Sequence, residues 1–371
     1  MPASPYFPPP GDGWERIDPR EAGFDPTALQ EAVDFSVARE TDWARDIGEQ
    51  LTERRHFEPP PWNEIIGPTR PRGGVNGLIV RGGRIAAEWG DTRRVDMTFS
   101  CSKSYVSTCA GIAFGDGLIP DLDEPVRERV RDGGFDSPHN AKITWAQLLQ
   151  QTSEWEGELW GKPDQIDRNR DLSVEGADPN KGKPRELREP GTYWEYNDVR
   201  VNRASLAVLR VLRRPLPEVL KERIMDPIGA SDTWEWHGYR NSFVTIDGRE
   251  MQSVSGGGHW GGGVFIASRD HARFGLLMLN RGRWNGRQLL SEVWIDKATA
   301  PCPINPDYGY MWWRNTPAGR FHGGTERSFY ASGAGSSIVW ICPEHDMVAV
   351  VRWIAKDAVN DWLRAVLRAV R

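Results

Sequence analysis

The sequence predicts an α/β protein: a mostly antiparallel sheet flanked by helices, with an all-helical domain inserted into it. Three observations lead there. Strand-like segments gather near both ends of the chain, helical periodicity fills the middle, and no internal repeat offers another architecture. The expected division is 1–99 with 231–371 for a discontinuous α/β domain, and 100–230 for the helical one. At 371 residues the chain is long enough to bury a large core.

Asp25 and Pro26 open the first helix, the carboxylate capping free N–H groups and the proline suiting the first turn. The run 75–90 reads as two strands joined by a tight turn at Gly82-Gly83, a β-hairpin. From Ser100 to Leu118 the pattern becomes helical and is closed by Gly115 and Gly117. Further helices are expected at 145–151, 199–213 and 216–225, and strands at 233–236 and 243–246. A glycine-rich run, 256–263, precedes a helix at 268–280. Segments 309–313, 336–342 and 347–353 are strand-like, the last two separated by the turn Pro343-Glu344-His345-Asp346. An amphipathic helix over 359–370 ends the chain. The proline-rich stretches 1–10 and 59–71 read as irregular. So does the long polar stretch 164–189, and a connection of that length is usually functional or mobile.

Composition narrows the function classes. The chain is 39% hydrophobic and 27% charged, with 8 Lys among 47 cationic residues. A net charge of -5 without a dense Lys/Arg cluster argues against a nucleic-acid partner. No apolar run approaches the roughly 20 residues that cross a bilayer, and the uncharged, proline-rich start does not resemble a signal peptide. A cytoplasmic protein without a membrane partner is expected. Cys101 and Cys109 on one helix would lie roughly 12 Å apart along its axis, too far to bridge. With Cys302 and Cys342 they read as buried free thiols, and their spacing fits no zinc motif. The seven histidines show no metal-ligand spacing, so no metal or cofactor is expected. A Gly-x-Ser-x-Gly elbow is missing, which counts against an α/β-hydrolase. Nor is the 256–263 run followed by the Lys-Ser/Thr of a phosphate loop.

The chemistry begins at Phe99-Ser100-Cys101-Ser102-Lys103-Ser104, which puts Ser-x-x-Lys at a predicted helix start. Three residues apart on a helix, Ser100 and Lys103 share a face and their side chains can meet. Free N–H groups and the macrodipole at a helix N-terminus favour a developing oxyanion. A lysine desolvated there has a lowered pKa and can accept the serine proton. Taken alone, the motif is met equally well by a helix cap and a surface lysine. A second element is the Pro190-Gly191 turn leading to Tyr196-Asn197-Asp198 ahead of a helix. A tyrosine set against a Ser–Lys pair can relay a proton to a leaving group; otherwise Tyr196 is a core aromatic with its hydroxyl satisfied. Asp198 has its own plain alternative, as the cap of the helix that follows.

Ser-x-x-Lys, then Tyr-x-Asp, then a glycine-bearing strand near the C-terminus resembles the serine β-lactamase-like superfamily. More narrowly, the chain is similar to the class C β-lactamase-related branch. That branch includes carboxylesterases with a β-lactamase fold, D-amino-acid amidases and peptidases, and 6-aminohexanoate-dimer hydrolase. Segments 148–153, 190–192, 261–270 with Phe274-Gly275, 284–286 and 340–346 support it, in the family's order, between 75 and 353. The resemblance implies a β-lactamase/transpeptidase-like fold and a covalent acyl-enzyme route. Ser100 would attack an ester or amide carbonyl, with Lys103 and Tyr196 sharing the proton transfer. It also implies that Ala331-Ser332-Gly333 stands at the family's Lys/His-x-Gly motif. The oxyanion hole would be the backbone N–H groups of Ser100 and Ala334, and Asp198, Ser332 and Gly333 would meet the substrate.

Two departures bear on specificity. Penicillin-active members carry a cation where this chain has Ala331, so the resemblance favours an esterase or amidase over a robust β-lactamase. Asp198 stands where the family often has Asn; its charge would hold Lys103 protonated and leave Tyr196 as the working base. Of 18 tryptophans, Trp155, Trp160, Trp194, Trp260, Trp312 and Trp313 fall in segments near the expected site. They suit an aromatic-walled pocket, with Trp155, Trp160 and Trp260 as candidate substrate contacts, though core packing explains any single one as well. Glu154, Glu156 and Glu158 would either attract a substrate amine or form a solvated face. The partner expected is a small ester or amide. Two other readings stay open: a peptidase or amidase acting on D-amino-acid or cyclic-amide substrates, and a non-catalytic penicillin-recognising protein.

Overall fold

The computed structural model describes residues 6–53, 58–174 and 178–371; residues 1–5 of the proline-rich start and 175–177 of the polar stretch lie outside them. Helix α1 (Pro26–Ala38) and the short α2 (Ile47–Thr52) precede the hairpin β1 (Asn76–Arg81) and β2 (Arg84–Trp89). After β3 (Asp96–Met97) come α3 (Ser102–Gly115), α4 (Trp145–Leu149) and a minimal hairpin, β4 (Glu158–Leu159) with β5 (Lys162–Pro163). Helices α5 (Asp198–Leu212) and α6 (Leu216–Leu220) follow, then β6 (Glu235–Ile246), β7 (Arg249–Val254) and β8 (Gly263–Ile266). Helix α7 (Ser268–Leu279), a second minimal hairpin of β9 (Arg283–Trp284) and β10 (Arg287–Gln288), and α8 (Glu292–Thr299) come next. The last elements are β11 (Trp313–Arg314), β12 (Phe329–Gly333), β13 (Ser337–Cys342), β14 (Met347–Arg352) and α9 (Val359–Arg368).

The main sheet runs β11-β12-β13-β14-β1-β2, every neighbouring pair antiparallel. The C-terminal strand β14 is thus zipped directly to the N-terminal hairpin. Both β13 and β14 are buried along their whole length. Strands covered on both faces carry apolar residues at successive positions, as Ile338-Val339-Trp340-Ile341 does. Ile79, Ile338, Trp340, Ala349 and Val351 point to one face, against Leu29 of α1 and Trp362, Leu363 and Val366 of α9. Their neighbours Leu78, Val80, Val339, Ile341, Val348 and Val350 point to the other, against α7 and α3. A second antiparallel sheet, β3-β8-β6-β7, lies beside α5, which packs on α3.

Local chemistry sets the helix ends. Asp25 accepts from the N–H groups of Thr27 and Ala28, with Pro26 in the first turn of α1. Thr144 and Gln147 form a reciprocal capping box on α4. All four cysteines are free and buried.

Several expectations need correction. The strands expected at 233–236 and 243–246 are one strand, β6; its exposed Arg240 and Asn241 break the apolar alternation where the pairing to β7 shifts register. Segment 309–313 is mostly a turn, with Met311 at φ +60°, and only Trp313–Arg314 pair as strand. The helix at 145–151 stops earlier because Gln151 adopts φ +59°. The helix read over 216–225 is a short α-helix that passes into a π-turn, Lys221–Met225. Ser100 itself lies in a 3-10 turn, Phe99–Cys101, that leads into α3. The described part of 164–189 holds one 3-10 turn, Asp164–Asp167, and is pinned by ion pairs. No described helix is long and apolar enough to cross a membrane.

Candidate active site

The position of Ser100 is set by the turn between β3 and α3. Phe99, bulky and buried, sits at φ +49°, a conformation costing about 1–3 kcal/mol that its surroundings must enforce. Thr98 does much of that work. Its N–H donates to the Val264 carbonyl at 2.9 Å, and its hydroxyl meets Ser337 Oγ at 2.9 Å and His271 Nε2 at 2.7 Å. Burial drives the His271 pKa well below the ordinary imidazole value, so this ring is neutral.

One turn further, Lys103 Nζ donates to Ser100 Oγ at 2.9 Å, and Lys103 is only 1% exposed. Its ammonium also forms an ion pair with Asp198, which reaches it from the first turn of α5. Asp198 is free to do so because Asn197, not Asp198, caps that helix, accepting from the N–H groups of Val199 and Arg200. Tyr196, two residues earlier, presents its ring centroid 4.5 Å from Lys103 Nζ and stacks on Trp313 at 5.7 Å. A side chain on Gly257 would strike Asp198 Oδ1 and stand 2.6 Å from Lys103 Nζ, so the glycine run is what admits the pair.

From the opposite side comes the end of β12. A Cβ on Gly333 would run into the Thr98 carbonyl and lie 3.2 Å from Ser100 N, so only glycine allows this approach. Ala334 follows it directly. Among the described residues the Ser100 N–H finds no backbone carbonyl. Ala331 is buried and apolar, so β12 offers no cation. Ser332, 4% exposed, has a hydroxyl with no protein partner.

Asp198 holds three cations: Lys103, Arg170 (Nη1 to Oδ2, 2.6 Å) and His259 (Nδ1 to Oδ2, 3.3 Å). His259 Nε2 meets Glu58 Oε1 at 2.6 Å; Glu58 pairs with Lys181, whose Nζ is 3.0 Å from Asp167 Oδ1. Burial works against every one of these charges, and the partners decide the outcome. Asp198 falls well below the ordinary carboxylate range because Lys103, His259 and Arg170 outweigh its desolvation. Lys103 rises despite full burial, through Asp198 and the Tyr196 hydroxyl. His259 rises through Glu58 and Asp198, and Glu58 drops to about 2 through His259 and Lys181. Donor atoms of Glu58, Asp167 and His259 lie within 4.8 Å of one another, but the Lys181 ammonium already bridges the two carboxylates.

Sequence reasoning did not single out Arg170, His259, Glu58, Asp167 or Lys181. A usable signal was His259 within the 256–263 glycine run; the rest converge from loops far apart in sequence. The tryptophans separate. Trp260, 1% exposed, stands edge-on to the His259 ring at 4.4 Å, behind the ion network. Trp155 and Trp160 line a cavity of about 590 Å³ bordered by none of Ser100, Lys103 and Tyr196. Trp312 is a core residue stacked on Phe274. Glu154 is wholly buried between Arg185 and Arg200, so it is not available to a substrate amine, whereas Glu156 and Glu158 are exposed.

A serine hydrogen-bonded to a buried lysine at the head of a buried helix, faced by a tyrosine and by the glycine end of an antiparallel strand, places the molecule in the β-lactamase/transpeptidase-like class of folds. The chain belongs to the β-lactamase family, whose sequence model matches residues 62–362. Among solved structures it is similar to a novel penicillin-binding protein homolog from Caulobacter crescentus. They share 15% identity over 94% of this chain and 99% of that one, at a TM-score of 0.59. A D-stereospecific amidohydrolase from Streptomyces sp. shares 18% identity over 93% and 98% of the two chains, at 0.57. EstCE1, a hydrolase with promiscuous acyltransferase activity, shares 13% over 93% and 98%, at 0.58. Likeness at these identities is likeness of fold. No curated protein is significantly similar in sequence.

Proposed function

We propose that this protein is a serine hydrolase that cleaves a carboxylic ester or an amide through an acyl-Ser100 intermediate. The observation that carries this is the 2.9 Å hydrogen bond between Lys103 Nζ and Ser100 Oγ, set against the Gly333-Ala334 end of β12. Ser100 Oγ attacks the carbonyl carbon while the carbonyl oxygen turns to the N–H groups of Ser100 and Ala334. The serine proton passes to the Lys103–Tyr196 pair and on to the leaving oxygen or nitrogen. Water then repeats the sequence on the acyl ester and frees Ser100. Because Asp198 keeps Lys103 charged, the proton moves through the Tyr196 hydroxyl, which takes it from Ser100 as it hands its own to the leaving group, with Lys103 orienting Ser100. Ala331 in place of a cation favours esters and amides over penicillins.

The test is intact-mass spectrometry after incubation with p-nitrophenyl esters of graded chain length, penicillin G and a D-alanyl amide. An adduct on Ser100, with turnover lost in Ser100→Ala, supports the reading; adducts or turnover that persist in Ser100→Ala sink it. Preference for the D-alanyl amide would point instead to a D-amino-acid amidase. Binding of penicillin without any acylation would point to a recognition protein.

A further inference from the structure

Three cations stand near Tyr196: two lie over its ring, Lys103 (4.5 Å) and Arg170 (5.5 Å), both paired with Asp198, and a third lies one ring further out. The third is Arg320. Its guanidinium lies over the rings of Trp313 (5.2 Å) and Phe321 (5.4 Å), and Trp313 is the ring that stacks on Tyr196. Among the described residues no carboxylate or carbonyl accepts from this guanidinium, whereas Arg170, which stands over the Tyr196 ring, is in an ion pair. It is half-buried, so it is partly stripped of water yet reachable. Burial and the charge of Arg170 lower its pKa, while Tyr196 acts the other way. A planar guanidinium fixed by ring stacking and lacking an anion is preorganised for a carboxylate, which it can hold through two parallel hydrogen bonds.

We infer that Arg320 is the specificity residue of the Ser100 site, and that the substrates are esters or amides carrying a carboxylate on one side of the scissile bond. This rests on the proposed serine-hydrolase reading and puts the carboxylate beside Trp313 and Phe321, not at β12, where Ala331 offers no cation. The neighbouring Lys103 and Arg170 are already engaged, Lys103 by Asp198 and Arg170 by Asp198 and Asp167 together.

Half-esters of dicarboxylic acids from succinate to suberate, as their p-nitrophenyl esters, place the carboxylate on the acyl side; 4-carboxyphenyl esters place it on the leaving side. Each is compared with a neutral ester of matched length. In the wild type, kcat/KM for one of these sets should exceed its neutral partner by roughly 10- to 100-fold. In Arg320→Gln that ratio should fall towards one, and Arg320→Lys should restore part of it. Thermal midpoints of both variants check that the fold survives, and the ratio is internal to each protein, so partial loss of active enzyme does not move it. Equal rates on charged and neutral esters in the wild type, or a preference that survives Arg320→Gln, would overturn the inference while leaving the hydrolase reading standing. Failure to turn over any ester, charged or neutral, would overturn the inference, and if the D-alanyl amide is not turned over either, the hydrolase reading falls with it.

Discussion

Lys103 sits between two demands: as the proposed nucleophile Ser100 needs a proton acceptor nearby, and Asp198 needs a cation. The second prevails, because a buried carboxylate left without its partner would cost about 3–5 kcal/mol. Replacing Asp198 therefore tests the division of labour between Lys103 and Tyr196. In the wild type the pH–rate limb set by Lys103 belongs above the ordinary lysine value of 10.5; in Asp198→Asn, burial without the countercharge should bring it down. An unchanged profile of kcat/KM against pH in the variant would remove Asp198 from that role. Tyr196→Phe should slow acylation by roughly 10²–10⁴-fold, read as single-turnover burst rates. The same cluster predicts a stability profile. His259 keeps its proton above its ordinary 6.5 when folded, so its contribution is full below pH 6.5 and is lost as pH rises through the raised value. Asp198 and Glu58 act in the opposite sense: their contributions are present above about 3.8 and 4.5 and are lost as pH falls through the depressed values, about 2 for Glu58. Urea midpoints should peak between roughly pH 4.5 and 6.5, and His259→Gln should flatten the alkaline side of that curve.

Among the elements, α5 does the most to build the site, since its first turn carries Asp198 and its buried face carries Arg200. Arg200 Nη1 is 2.7 Å from Glu154 Oε1 and 3.1 Å from Glu195 Oε2, and Arg200 Nη2 is 3.2 Å from Asp164 Oδ2. Arg185 closes the network on Glu154 and Glu195. These pairs tie segments 154–168 and 185–195 to the helix and so fix the backbone that delivers Tyr196. Arg200→Met leaves three carboxylates short of a cation and should cost about 3–5 kcal/mol in urea denaturation. A loss under 1 kcal/mol would mean that Arg185 alone holds the network. This is also where sequence reading reached its limit. Ser100 and Lys103 were legible because a helix brings residues three apart together, a rule local to the chain. Tyr196 was legible through the order of the motifs, and β13 and β14 as strands on either side of the turn 343–346. The partners of Asp198 were not, because 170 and 259 meet it only after two loops have closed over it. Glu154 looked like a rim residue for the same reason: its neutralising arginines lie 31 and 46 positions away. Phe99, just ahead of the helix expected from Ser100, gave no sign of its positive φ, because nothing local signals one in a bulky residue.

At the level of the whole molecule, the two chain ends are parts of one structure. Asp25 N–H donates to the Ala369 carbonyl at 2.7 Å, and Arg371 N–H to that of Gly23 at 2.9 Å, so the end of α9 is stitched to the start of α1. Between them the two helices pack on one face of the main sheet, with Trp362, Leu363 and Val366 fully buried in one cluster with Ile79, Trp340 and Val351. Burying a large apolar side chain contributes about 1.5–3 kcal/mol, so these three amount to roughly 5–9 kcal/mol. A domain has only about 5–15 kcal/mol of net stability. Removal of residues 355–371 should therefore abolish cooperative folding, although the nearest deleted residue belongs to no catalytic element. The expected signature is loss of the thermal transition in near-ultraviolet circular dichroism, with new binding of a hydrophobic dye to the uncovered sheet. Trp362→Ala, which leaves a cavity in place of the ring, should instead keep the transition and lower stability by about 3–5 kcal/mol. A truncated chain that still melts cooperatively would mean that the antiparallel ladder from β11 to β2 holds together without its cover. The active-site turn would then owe its shape to α3 and α7 on the opposite face alone.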